Sequence, residues 1–168
     1  MKHILLVDDD LQVLTALRRT LRPFLLQHGV RVEAFCDPEQ ALLRCADMAF
    51  DVVVSDYRMP GLTGADFLQM MKGIQPDAVR VMLSASTDFA EVSHAINRGE
   101  VFRYVTKPWN GAELETIFLE AFARRATLLT YRPQAVLSRQ ELEARKLEQD
   151  EPGITSVHCD EHGAVYLD

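Results

Sequence analysis

Cysteine is scarce in this sequence and falls in no pairing pattern. Cys36, Cys45 and Cys159 are an odd set with no CxxC spacing, so neither a disulfide framework nor a zinc ribbon is expected. Long apolar runs are missing as well. The run after Lys2 and His3 covers residues 4–7 and meets three aspartates, which is too short for a signal peptide. No segment approaches the roughly 20 apolar residues of a membrane helix. Basic runs are absent, and the formal charge is −7, so the surface repels nucleic acid on average. Internal repeats and low-complexity stretches are lacking too. These absences exclude membrane and nucleic-acid roles for the chain and predict a soluble protein in a reducing, cytoplasmic setting.

What remains is an ordinary globular composition. The chain has 168 residues, 48% of them apolar, enough for one core with an appendage. Over residues 1–123 strand-like and helix-like segments alternate. Continuous apolar runs at 4–7, 52–54, 79–83 and 101–105 read as strands buried on both faces, and residues 31–35 as a further strand. Helix starts are marked by Asp10, by Asp37-Pro38 with Gln40, by an Asp88 and Glu91 capping pair, and by Asn110 with Glu113. Trp109 and Leu114 occupy hydrophobic-staple positions around the last of these. Pro23 predicts a kink or early end to the first helix. Met70 and Met71 are expected in or near the core. Five strands alternating with helices predict an α/β fold, a doubly wound parallel sheet in a three-layer sandwich.

Residues 124–168 read as an appended segment. Pro133 predicts a break, Ser138 and Glu141 a new capping box, and a helix follows over about 138–149. Residues 154–167 read as a hairpin turning at 160–163. His158, Cys159 and His162 lie across that turn without a fourth ligand at a familiar spacing, so they are read as hairpin residues and not as a metal site.

Four short polar stretches follow the strand-like runs: Asp8-Asp9, Asp56, Ser84 and Lys107-Pro108. Groups just past strand ends meet at one edge of a parallel sheet, where open α/β proteins bind ligands. Three carboxylates gathered there repel one another. A hard divalent cation such as Mg²⁺, with oxygen ligands at about 2.1 Å, resolves this and can bridge to a phosphate oxygen. Ser84 can donate to a phosphoryl oxygen, and Lys107 can pair first with a carboxylate and then with phosphate.

Leu5-Leu6-Val7-Asp8-Asp9, the run from Val54 through Asp56 to Met59-Pro60-Gly61, Leu83-Ser84-Ala85 and Tyr104-Val105-Thr106-Lys107-Pro108 closely resemble the receiver domain of two-component response regulators. The resemblance covers residues 1–123 and implies a flavodoxin-like fold with strand order 2-1-3-4-5. It implies that Asp56 takes a phosphoryl group from a sensor histidine kinase or phosphotransfer protein. Asp9, Asp56 and the Arg58 carbonyl would bind Mg²⁺, with Asp8 helping through a water. Lys107 would contact the phosphoryl group. Ser84 and Tyr104 would form the switch, and the face of the fourth helix, fifth strand and fifth helix would alter binding of a downstream partner or a second copy. Such a domain catalyses only its own phosphorylation and dephosphorylation, and Arg58 and Ser86 would occupy positions that influence the dephosphorylation. Residues 99–109 look like receivers attached to HD-GYP cyclic-di-GMP phosphodiesterases, although no HD or GYP motif occurs in the chain.

Two other readings compete. Asp8-Asp9-Asp10 contains the D-x-D of a haloacid-dehalogenase-type phosphatase, with Ser84 and Lys107 as further motifs, but Gln12 departs from that pattern and a following acidic pair is missing. A receiver that works mainly by dimerising or docking, through its tail, is the other; Leu142 and Leu147 would share one side of that tail helix.

Overall fold

The computed structural model describes residues 1–85, 87–150, 158–159 and 165–166, with side chains through Tyr131. The order is β1 (Lys2–Val7), α1 (Leu11–His28), β2 (Val30–Phe35), α2 (Pro38–Asp47), β3 (Val52–Asp56), α3 (Gly64–Ile74), β4 (Val79–Ser84), α4 (Phe89–Gly99), β5 (Arg103–Thr106), α5 (Gly111–Asp150), β6 (His158–Cys159) and β7 (Val165–Tyr166). The first five strands form one parallel sheet in the order β2-β1-β3-β4-β5. β6 and β7 form a separate antiparallel pair.

The sheet is buried on both faces because successive strand residues point to opposite sides. Ile4 and Leu6 join Val52, Val54, Val79, Val81 and Leu83 in a core with Leu14, Leu17, Leu21 and Phe24 of α1 and Leu114, Ile117 and Phe118 of α5. Leu5 and Val7 face the other way, into a core with Val53, Met82, Phe67, Leu68, Met71 and Ala41. Each fully buried side chain of this size contributes roughly 1.5–3 kcal/mol. The result is the predicted three-layer α/β architecture.

Side chains cap the helices much as the sequence predicted. Asp10, Asp37 and Asp88 accept from backbone N–H groups of α1, α2 and α4. Asn110 does the same for Ala112 and Glu113 at the start of α5.

Four local expectations differ. Pro23 lies inside α1, which runs on to a left-handed cap at Gly29, φ 61°. Proline costs about 3 kcal/mol inside a helix, but Pro23 is exposed while Leu21 and Phe24 beside it are buried, and their burial outweighs it. Pro133 likewise does not interrupt α5, a helix of 40 residues that includes the stretch 138–149 expected as separate. One missing N–H among so many hydrogen bonds is tolerated. Met71 is buried but Met70 is half exposed, since neighbours on a helix point about 100° apart. Glu91 directs its carboxylate to Arg58, whereas Asp88 alone supplies the oxygen that caps α4.

The chain divides into two compact units, Met1–Thr127 and Leu128–Asp168. Ser86, the turn at 160–163, and the side chains of Leu142, Leu147, His158, Cys159 and His162 lie outside what is described.

Candidate functional site

Every strand of the parallel sheet except β2 delivers a functional group to its carboxyl edge. Asp8 follows β1, β3 ends in Asp56, β4 ends in Ser84, and Lys107 follows β5. Asp8, Asp56 and Ser84 are 2%, 8% and 2% exposed, so their polar atoms have left water and require partners.

Lys107 supplies one. Its Nζ donates to Asp8 Oδ2 at 2.8 Å and to Asp56 Oδ1 at 3.1 Å. The lysine backbone N–H donates to the Ser84 carbonyl at 2.9 Å, tying the β5–α5 turn to the end of β4. The Lys107-Pro108 peptide is cis.

The three adjacent aspartates between β1 and α1 separate into three roles. Asp8 is buried, pairs with Lys107, and accepts from the Asp10 N–H at 2.9 Å. Asp9 is exposed. Asp10 accepts from the Gln12 N–H and caps α1. The phosphatase reading required Asp10 to act inside the site, and its capping role removes that support.

Electrostatics sets Asp56 apart. Burial pushes its carboxyl above the ordinary range and the nearby Asp8 charge adds to this, while the hydrogen bond from Lys107 opposes them. Burial pulls the Lys107 ammonium down, but its bonds to two carboxylates outweigh that and hold it above its ordinary value. Both shifts are upward, which disfavours the charged form of Asp56 and favours that of Lys107, because one cation serves two anions. Lys107 gains from both acids, and Asp56 receives only part of a lysine.

Asp8, Asp9 and Asp56 each offer an oxygen, and these oxygens lie within 4.8 Å of one another. Three oxygen donors in excess of the local positive charge are the chemistry that a hard divalent cation fits. Beside them opens a cavity of about 390 Å³ lined by Asp56, Arg58, Ser84, Thr87, Asp88 and Lys107. Tyr104 is half-buried on β5 and packs against the core that contains Met82.

Gly64 fixes the approach of α3. Its N–H donates to the Tyr57 carbonyl at 2.8 Å. A Cβ at Gly64 would fall 1.9 Å from the Asp56 carbonyl oxygen, so only glycine fits.

Sequence reasoning missed the pair that Arg58, a lining residue of this cavity, makes with Glu91 of α4, Nη2 to Oε2 3.0 Å. No motif spacing signals a contact between residues 33 positions apart. It also missed Thr87 as a lining residue, since the turn after Ser84 carries no periodic pattern.

Residues 4–118 match the family described as response regulator receiver domain. The hydrogenase transcriptional regulatory protein HoxA of Cupriavidus necator is 33% identical over 106 residues, 63% of this chain and 21% of that protein. The transcriptional regulatory protein FixJ of Bradyrhizobium diazoefficiens is 32% identical over 124 residues, 74% of this chain and 58% of its own length. The chain therefore spans about a fifth of the first relative and somewhat over half of the second. Among solved structures, the signal receiver domain of an HD domain-containing protein from Pseudomonas fluorescens superposes with a TM-score of 0.71 at 29% identity, covering 77% of this chain and 92% of that one. That neighbour accords with the flavour expected from residues 99–109. No described helix is long and apolar enough to cross a membrane. With the strand order, the acid cluster and its lysine in place, the family match over most of the chain makes it a member of the response regulator receiver domain family.

Proposed function

We propose that Asp56 is the phosphoacceptor of a signalling switch. The observation that carries this reading is the division of one lysine between two buried carboxylates beside an open cavity. Asp8 and Lys107 orient each other, and one Asp56 oxygen remains for attack on phosphorus. The donor would be a phosphohistidine of a sensor kinase or phosphotransfer protein: the new bond joins Asp56 oxygen to phosphorus, the phosphorus–nitrogen bond breaks, and the imidazole nitrogen takes a proton. Asp8, Asp9 and Asp56, with the Arg58 carbonyl, would hold Mg²⁺. When bound, the metal neutralises charge on the transferring group.

In this reading Lys107 contacts the phosphoryl oxygens, Ser84 turns its hydroxyl toward them, and Tyr104 responds by moving inward. The face made by α4, β5 and α5 then changes its affinity for a downstream partner or a second copy. Residues 1–123 are the receiver in a cytoplasmic setting, and the remainder is an extension.

Intact-mass measurement after acetyl phosphate and Mg²⁺ tests this. One acid-labile phosphoryl group on the native chain and none on Asp56→Asn is the expected outcome. An adduct that survives Asp56→Asn would overturn the assignment of the acceptor.

A further inference from the structure

Arg58 borders two adjoining cavities. One is the opening over Asp56, Ser84 and Lys107. The other is lined by Asp9, Tyr57, Met59, Thr63 and Glu91. Its guanidinium is bonded to Glu91 in the first turn of α4, and its side chain is 70% exposed. Among the described residues lining the Asp56 cavity, Arg58 and Lys107 are the cations. Lys107 is already shared between Asp8 and Asp56. Further negative charge at Asp56 would leave Arg58 as the one cation of that lining not already bound to the acid cluster.

We infer that Glu91 is a positioning residue: it parks the Arg58 guanidinium on α4, and Arg58 exchanges Glu91 for the phosphoryl oxygens once Asp56 is modified. This rests on Asp56 as the phosphoacceptor. Three observations support the exchange. Arg58 is mostly exposed and Glu91 partly so, and pairs with such access to solvent are weak. A phosphoryl group offers a guanidinium two parallel charge-assisted bonds, a stronger arrangement. Glu91 also has Tyr57 as a hydrogen-bond partner; burial first, and then Glu91, holds that phenol above its ordinary value. The carboxylate is therefore not stranded when Arg58 leaves.

The exchange acts on the start of α4 because the fully buried residues of that helix lie further along it. Ala95 and Gly99 are its buried residues. Its later turns are tied by Arg98 to Asp66 and Gln69 and by Glu100 to Lys72. Its first turn has Arg58 and Tyr57. Departure of Arg58 loosens the beginning of α4 and leaves its end fixed, which converts a local charge into a tilt of one helix.

Beryllofluoride with Mg²⁺, a mimic of the phosphoryl group, tests this on the full chain. Trp109 is the single tryptophan, two residues past Lys107, and its fluorescence reports binding. Glu91→Gln is expected to tighten the mimic about two- to fivefold, the range over which an exposed ion pair shifts an equilibrium. Arg58→Met is expected to weaken it, and Glu91→Gln made on top of Arg58→Met to change nothing further. A purely structural Glu91 would act equally in both backgrounds or in neither, and either result overturns the inference. Hydrogen exchange gives a second readout: the mimic should reduce protection at the start of α4 in the native chain but not in Arg58→Met. If the native chain binds no mimic, the phosphoacceptor reading fails beneath it. Binding by the native chain, loss in Asp56→Asn and native behaviour of Glu91→Gln would sink this inference alone.

Discussion

The two ends of β3 carry aspartates in opposite conditions. Just before the strand, Asp51 accepts from the His3 N–H at 2.7 Å and from Arg125 Nη1 at 2.7 Å. Each of its oxygens has its own donor. At the other end, Asp56 shares one ammonium group with Asp8. The first arrangement holds α5 against the sheet. The second leaves a buried carboxylate short of positive charge, as the proposed metal and phosphoryl chemistry requires. One strand thus separates a matched acid from an unmatched one.

Substitutions can break this contrast, and the largest effect is expected at Gly64. Gly64→Ala places a methyl group against the Asp56 carbonyl and should lower stability by about 3 kcal/mol or more, because backbone cannot yield as a side chain can. A urea midpoint measures it. Asp51→Ala comes next. It leaves the half-buried Arg125 without its carboxylate and the His3 N–H without an acceptor, and should cost roughly 2 kcal/mol, below the figure for fully buried pairs. Thermal unfolding gives the number, and an unchanged Tm would show that Asp51 is not the anchor described.

Asp56→Asn is the smallest change and has the opposite sign. The native carboxyl is held above its ordinary 3.8, so the folded chain binds that proton more readily than the unfolded one. Stability is lost as pH rises from about 3.8 through the folded value, and the deficit persists above it. Removing the charge should therefore raise Tm at pH 7 in metal-free buffer. The gain should shrink as pH falls through the folded value and disappear only well below the ordinary 3.8, where the acid is protonated in both states. A gain that stays constant with pH would contradict the account of Asp56 as a buried, undercompensated charge.

Local chemistry was readable from the sequence, and distant pairing was not. Asp10, Asp37, Asp88 and Asn110 cap helices two or three residues away, so short spacing reveals them. The apolar runs of β1, β3 and β4 announce a sheet covered on both faces. Asp8, Asp56, Ser84 and Lys107 were found because each ends or follows such a run. Pro23 and Pro133 misled, because the local preference against proline in helices is outweighed when the rest of the helix is well held. Arg125 with Asp51 and Arg58 with Glu91 pair across 74 and 33 positions, and only the fold brings them together.

Asp8 and Asp9, the first two residues past β1, have separate fates. Identical side chains one step apart end up as a lysine's buried partner and as an acid facing solvent, so their functions belong to the phase of the strand and not to their chemistry. One residue inserted after Ile4 would exchange Leu5 and Leu6 between the two helical layers and rotate the acid pair with them. A register slip of this kind would disperse the acid cluster while leaving every carboxylate in the sequence.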